Sequence, residues 1–403
     1  MMKSNQYHNY WFTIPILCFA VILGPMGVDL YAPSLPWIAK GLNASPHLTR
    51  LTLPCFSYGV AIGSLIFGTL SDAFGRKKPL TIGLALYVVI SLLCTASPNV
   101  YSLLALRFMQ GFFLASLFVG YRAFIADVYG PVNKIQHAMA PIGLFFSLSP
   151  IISPFIGAYL QHFLGWEANF VFLAAYGALV LCAFLILPET HWQRTPIHKQ
   201  QIFKRYLQIL TTPVFWVGIL FMSVSSIIVI FAVTGSFLIQ DILGYSAITF
   251  GHTALSLGAA CFVGSYVYRF MQSRFKLARI VISNLLAALA SAIILAILSI
   301  QFPINFWAIT IPVFAIFFFI SCAGLYQVGT GICISLFPEM AGTAGAASSI
   351  IYLLVLSLLV SLASLLKVQT AIPLAIFYLI ILITLLVVAI IFSATSSGRA
   401  KMG

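Results

Sequence analysis

Charge is what this sequence has least of, and acid least of all. Only 7% of its 403 residues are charged, and the 7 Asp and Glu face 20 Lys and Arg. A soluble domain carries charge on about a quarter of its residues, so a water-exposed globule is excluded. With 62% hydrophobic residues and a mean hydropathy of +1.08, the apolar side chains exceed what one core can hide, and lipid has to be their solvent. Cysteine is scarce too. Cys18, Cys55, Cys94, Cys182, Cys261, Cys322 and Cys333 all fall in apolar runs, are odd in number, and lack any C-x-x-C or histidine pairing. That excludes a disulfide framework and a metal centre; a thiol in such surroundings behaves as a small hydrophobe. A signal-peptide reading of the first apolar run also fails. The run from Trp11 is too long, has no convincing cleavage site, and is followed by others like it.

What is present is a succession of apolar runs broken at charges, Pro and Gly. A bilayer core takes about 20 apolar residues per helix, and more with tilt. The sequence therefore predicts an all-α integral membrane protein with twelve spans. They lie near 11–33, 49–71, 79–97, 101–127, 135–160 and 167–188, then 213–240, 247–271, 278–300, 303–334, 343–366 and 370–394. Gly324, Gly329 and Gly331 are expected to bend or break the long tenth run. The layout reads as an N-terminal six-helix bundle (1–188), a basic linker (189–212) and a C-terminal six-helix bundle (213–403), with Lys199 to Leu210 forming a short helix on the inner membrane surface.

Loop charge sets orientation, because cytoplasmic loops collect Lys and Arg. With the N-terminus inside, the inner segments hold fifteen: Lys3, Arg76, Lys77, Lys78, Lys134, Arg194, Lys199, Lys204, Arg205, Arg269, Arg274, Lys276, Arg279, Arg399 and Lys401. The outer loops hold three, Lys40, Arg50 and Lys367, and Arg107 and Arg122 lie within spans. Both termini are expected to be cytoplasmic. The net charge of +13 is thus a topology signal and calls for no nucleic-acid partner.

The sharpest motif is Gly68-Thr-Leu-Ser-Asp72-Ala-Phe-Gly75-Arg76-Lys77-Lys78. It resembles the major facilitator loop motif G-x-L-(A/S)-D-(R/K)-x-G-(R/K)-(R/K), with Ala73 in place of a basic residue. Gly75 suits a tight turn, and Asp72 and Arg76 can latch at the membrane edge. Val28-Asp29-Leu-Tyr-Ala-Pro33-Ser-Leu-Pro36 resembles the D-x-Y-L-P-A-L-P signature of the bicyclomycin/chloramphenicol-resistance (Bcr/CflA) drug exporters. Arg107-Phe-Met-Gln110-Gly111 and Gly120-Tyr-Arg122-Ala-Phe-Ile-Ala-Asp127 look like their fourth-span segments. Ser149-Pro150-Ile-Ile-Ser-Pro154-Phe-Ile-Gly157 looks like the antiporter motif of span five. In the second half, Phe237 to Ser246 and Ala341 to Ser348 have family counterparts too. The departures are Ala115 and Ser147 at motif glycines, and no further acid deeper in span one.

The resemblance implies a major facilitator fold, two six-helix bundles around a central cavity, monomeric in the bacterial inner membrane. It implies proton-coupled antiport of small amphipathic compounds outward by alternating access, with protons, a small-molecule substrate and lipid as partners and no cofactor or metal. The alternative is a major facilitator transporter of a natural metabolite such as a siderophore, amino acid or nucleoside. Nothing resembles a P-loop, so energy must come from a gradient or from the solute. An intramembrane enzyme would need a His/Asp or Ser/His constellation, and none can be assembled.

Charges within spans are functional candidates by default. Asp29 and Arg107 reach a similar depth and can face one another, as a proton-coupling pair or as a static brace. For Arg122 and Asp127, the resemblance implies a relay from Asp72 through Arg76 to Asp127 that holds an outward-open state; the rival role is a topology anchor. Pro150, Pro154 and Gly157 are candidates for helix bending. Tyr31, Tyr58, Tyr121, Phe145, Phe146, Gln240, Tyr326 and Gln327 are candidates to line the cavity.

Overall fold

The computed structural model describes residues 13–129, 132–190, 199–301, 307–337, 340–367 and 372–394. Lys3, Arg194, Arg399 and Lys401, counted above for orientation, lie outside these residues. Twelve helical stretches among the described residues are long and apolar enough to cross a membrane. Near the N-terminus, Thr13–Gly41 is assembled from α1 (Thr13–Val21), α2 (Leu23–Asp29), a 3-10 turn (Ala32–Ser34) and α3 (Leu35–Gly41). Pro46–Phe74 joins α4 (Pro46–Arg50) to α5 (Thr52–Phe74). There follow α6 (Lys77–Thr95), α7 (Val100–Tyr129), α8 (Val132–Leu164) and α9 (Glu167–Ile186).

The short α10 (Lys199–Leu210) forms where it was expected. It packs Tyr206 and Ile209 against Phe215, Ile219, Met222 and Phe337, so part of its apolar face is taken up by protein. Beyond it, Pro213–Ile242 consists of α11 (Pro213–Ser223), α12 (Ser226–Phe237) and a single π turn (Leu238–Ile242). The chain closes with α13 (Ala247–Gln272), α14 (Leu277–Gln301), α15 (Trp307–Ser335), α16 (Ala341–Ser364) and α17 (Ile372–Ala394).

Two compact units emerge. One comprises Met1–Tyr31 with Cys55–Ile197, the other Ala32–Pro54 with His198–Gly403. In the first, α6 packs on α7 and α9, and α8 runs along α1 and α2; in the second, α15 is central, packed on α11, α13 and α14. Large apolar side chains such as Ile82, Phe163, Ile186, Tyr266 and Ile391 are exposed. In water a surface of this kind is an aggregation liability; in a bilayer it is the surface lipid requires.

Two expectations are corrected. The first span does not stop near Pro33 but continues as α3 to Gly41, because Leu35, Ile38 and Ala39 are buried apolar positions. Of the bend or break expected in the tenth run, the break does not occur: α15 passes Gly324, Gly329 and Gly331 as one helix. A Cβ at Gly329 would stand 2.4 Å from the Gly218 carbonyl oxygen, so that glycine serves close approach of α11 to α15. Similarly, α8 carries Pro141, Pro150 and Pro154 inside one continuous helix.

Candidate functional site

The site is built around the interrupted first span. Pro25 has no N–H for the carbonyl one turn before it, and α1 ends at Val21. A second interruption follows at the 3-10 turn that holds Pro33, and backbone carbonyls around such interruptions need donors that lipid cannot supply. Three neighbouring helices supply donors. Tyr176 on α9 donates its hydroxyl to Phe19 O at 2.7 Å, and Ser149 on α8 donates Oγ to Ile22 O at 2.9 Å. Arg107 on α7 donates Nη2 to Gly27 O at 2.6 Å, in the last turn of α2. The span-five motif thus acts as a platform: Ser149 braces one break, and Gly157 lets α8 approach so closely that a Cβ there would stand 1.6 Å from Leu30 O.

Arg107 is fully buried. Its Nη1 donates to Gln110 Oε1, and the Gln110 amide donates to Ser91 Oγ at 2.7 Å. The guanidinium lies 4.3 Å from the ring centres of both Tyr31 and Phe56 and 5.8 Å from that of Phe170. Aromatic faces can stabilise a desolvated cation by about 2 kcal/mol or more. The cation is therefore held by carbonyls and π faces.

Asp29 sits at the end of α2, half-buried, and no hydrogen bond or ion pair to its carboxylate occurs among the described residues. The expected approach of Arg107 to Asp29 takes a different form. Arg107 does meet α2, but at the Gly27 carbonyl, because a helix ending at Asp29 leaves its last carbonyls open and a guanidinium fits such an end well.

A second cluster surrounds Gly75, whose φ of +93° is left-handed, as a tight turn requires. Arg76 donates Nε to Asp127 Oδ2 at 2.9 Å and Nη1 to Asp72, and Nη1 also lies 3.3 Å from Ser71 Oγ. The relay from Asp72 through Arg76 to Asp127 is thus formed as a contact. Burial pulls the Arg76 guanidinium down, but its bonds and charge pairing with Asp127 and Asp72 hold it above its ordinary value. Arg76 therefore stays charged throughout the physiological range. Arg122 donates Nε to the Tyr121 hydroxyl at 3.0 Å. Gly68 lies one turn before Asp72 on α5, 3.9 Å from Val119 when a Cβ is added.

Glu189, counted in sequence as the first linker residue, completes this cluster. Its carboxylate accepts from the backbone N–H groups of Arg76 at 3.0 Å and Lys77 at 3.1 Å. An acid at a helix N-terminus meets both open N–H groups and the positive end of the dipole. Lys77 returns the arrangement, donating Nζ to Leu185 O and Leu187 O, each at 2.7 Å, at the C-terminal end of α9. The only sequence signal was the position of Glu189 directly after Pro188, at the end of an apolar run.

Of the cavity candidates, Tyr31 and Tyr121 are buried, and Tyr31 turns its face to Arg107. Tyr58, Phe146, Tyr326 and Gln327 are half-buried and Phe145 is exposed. Tyr326 stacks edge-on against Tyr352 at 5.4 Å. Gln240 lies on the π turn, buried and bonded within the second unit. No group of three or more His, Cys, Asp or Glu among the described residues is placed to hold a metal.

A sequence profile of the Major Facilitator Superfamily matches residues 17–360. The chain is 30% identical over 384 residues to a bicyclomycin resistance protein homolog of Haemophilus influenzae, covering 92% of this chain and 93% of that protein. It is 24% identical over 351 residues to multidrug resistance protein D of Escherichia coli, covering 86% of each. A chloramphenicol resistance protein of Pseudomonas aeruginosa is 30% identical over 199 residues, covering 48% of this chain and 47% of that one. Among solved structures, a D-xylose–proton symporter superposes with a TM-score of 0.73 at 15% identity, over 97% of this chain and 99% of that one. A nucleoside transporter gives 0.71 at 12% identity, over 96% and 99%. At such identities these two establish the fold alone.

Proposed function

Since the chain belongs to the major facilitator superfamily and is a membrane transporter rather than an enzyme, we propose that it is a proton-coupled antiporter that exports small amphipathic compounds. It works as a monomer in a bacterial inner membrane, with both termini and the Arg76 loop in the cytoplasm. The observation that carries the coupling is Asp29: an acid inside an interrupted span, without a polar partner among the described residues, on the same short helix whose Gly27 carbonyl takes a bond from Arg107. A fixed charge in a span is costly, so a carboxylate uncommitted to any ion pair is the group whose protonation can alternate with access to the two sides. Arg107 acts by holding α2 in place through the Gly27 carbonyl.

Cargo class follows from the drug-resistance names of the relatives and from the placing of second-half charge at span ends, as at Asp241, Arg269 and Arg279, and not in span interiors, which disfavours strongly polar solutes. Tyr58, Phe145 and Phe146 in the first unit, and Tyr326 and Gln327 in the second, are the side chains offered to cargo. The Asp72–Arg76–Asp127 cluster, steadied by Glu189, is a conformational latch favouring one state by a few kcal/mol. Proteoliposomes with an imposed pH gradient test the proposal. A fluorescent amphipathic cation should accumulate against its gradient only on the acidic side, as protons leave that side down their own gradient. Movement indifferent to the pH gradient would rule out the antiport.

A further inference from the structure

The hairpin from Ala32 to Pro54 belongs to the second unit, yet it is continuous with the first unit at Tyr31 and Cys55. It is fastened at two helix ends. At the π turn after α12, Trp37 donates Nε1 to Gln240 Oε1 at 3.1 Å, Gln240 donates Nε2 to Pro33 O at 2.7 Å, and Lys40 pairs with Asp241 at 2.9 Å. A π turn redirects the residues it carries and is rarely retained without use; here it aims Gln240 and Asp241 at the hairpin. At the end of α16, His47 donates Nδ1 to Ser364 O at 3.0 Å, and Arg50 donates Nη1 and Nη2 to Leu366 O at 3.1 and 3.2 Å. Arg50 also donates Nε to Pro46 O at 3.2 Å, and its guanidinium lies 5.6 Å from the centre of the Phe237 ring at the end of α12.

Arg50 is only 5% exposed and has no carboxylate within ion-pair distance among the described residues. A buried cation tied only to carbonyls and a ring has a distinct energetic character. A buried ion pair, once broken, leaves an uncompensated charge and is costly to open. A bond from a charged donor to a neutral carbonyl is stronger than a neutral one but weaker than a buried ion pair, and the carbonyls at a helix C-terminus already favour a cation. Such a tie is strong enough to hold the hairpin and weak enough to release it. The exposed Lys40–Asp241 pair adds little, as surface pairs do.

We propose that Arg50 is a positioning residue that clamps the 32–54 hairpin to the ends of α12 and α16, and that its release is a step in opening the protein on that face. The hairpin is the chain's route from the first span to the second, so any rearrangement of the first unit pulls on it, and Arg50 sets the load at which it yields. This rests on the chain being a transporter that changes access, and depends on neither cargo nor coupling ion.

The test uses the full chain in lipid nanodiscs, with its native cysteines replaced by serine or alanine. Spin labels are placed at Gly41→Cys and Leu365→Cys, both exposed and neither in the clamp. The distance distribution gives the ratio of docked to released hairpin without any cargo. Arg50→Gln, which keeps a polar side chain but loses the charge and the reach of the guanidinium, should raise the released fraction roughly tenfold. Arg50→Lys should recover part of the docked population, since an ammonium can still donate to Leu366 O, while Lys40→Gln should change the ratio less than twofold. An unchanged distribution in Arg50→Gln, or an Arg50→Lys variant no better than Arg50→Gln, would overturn the clamp. Because no cargo or pH gradient enters the readout, failure of the antiport proposal would leave the result standing, and the reverse.

Discussion

Replacing Gly157 by alanine puts a methyl group 1.6 Å from the carbonyl oxygen of Leu30 and 2.6 Å from its carbonyl carbon. Both obstacles are backbone, so no rotamer change relieves them. To reach even a 3.0 Å contact, α8 and the first span must part by about 1.4 Å. Overpacking of well-fitted sites costs typically 1–3 kcal/mol, and a clash against backbone belongs at or above the upper end. The displacement would also strain the 2.9 Å bond from Ser149 to Ile22 O, two turns away on the same helix. The internal control is Gly143, where a Cβ meets nothing within 4 Å and alanine is favoured by about 1 kcal/mol on helix propensity. Thermal unfolding in detergent, followed by tryptophan fluorescence, should show Gly157→Ala melting well below wild type and Gly143→Ala at or above it. Transport by folded Gly157→Ala should fall at least tenfold. Equal melting and equal transport for the two variants would refute the reading of α8 as the platform for the broken span.

Other consequences follow from the same contacts. Arg107→Lys keeps a cation but loses the fork that reaches Gly27 O and Gln110 together; transport should drop tenfold or more while chain abundance changes little, since Lys and Arg differ most at such sites. Glu189→Gln should destabilise the fold by about 1 kcal/mol, the upper end of what a charge at a helix N-terminus typically contributes, seen as earlier urea or thermal unfolding, with cargo affinity unaltered. Asp72→Asn should shift the population towards inward-open and slow turnover, with apparent cargo affinity nearly constant. Cysteine accessibility from each side reports that shift, and a loss confined to cargo binding would assign the loop another role. Arg76, held above its ordinary value by its two acids, contributes stability that is lost only as pH rises through a window far above the physiological range, so a wild-type pH profile between 5 and 8 should owe nothing to it.

The spans were legible because lipid imposes length and apolarity directly on sequence, residue by residue. The left-handed turn at Gly75 and the Asp72–Arg76 pairing were legible from the residue types at that spacing, whereas the extension of the contact to Asp127 came only from the family resemblance. The fastening of the first span was not. Pro25 and Pro33 announce interruptions, but which hydroxyl or guanidinium will meet a freed carbonyl depends on how α7, α8 and α9 rotate, and no local pattern encodes that. Arg107 was expected to seek an acid; a helix end with open carbonyls and three aromatic rings proved a sufficient partner. Glu189 was hidden because a lone acid after an apolar run looks like any solvated loop residue. The 32–54 hairpin escaped notice for the opposite reason: its polar residues look like a short loop, and only the second unit's helix ends give them work.

The proposal that Asp29 couples proton movement to export is tested most directly by one comparison in proteoliposomes. Wild type and Asp29→Asn are reconstituted in parallel, and each is assayed for uphill cargo movement driven by an imposed pH gradient and for energy-independent exchange of the same cargo. The account predicts that Asp29→Asn loses the driven movement entirely and retains exchange, because the substitution removes the proton site and leaves the interrupted span and its donors in place. Full pH-driven accumulation by Asp29→Asn would contradict it.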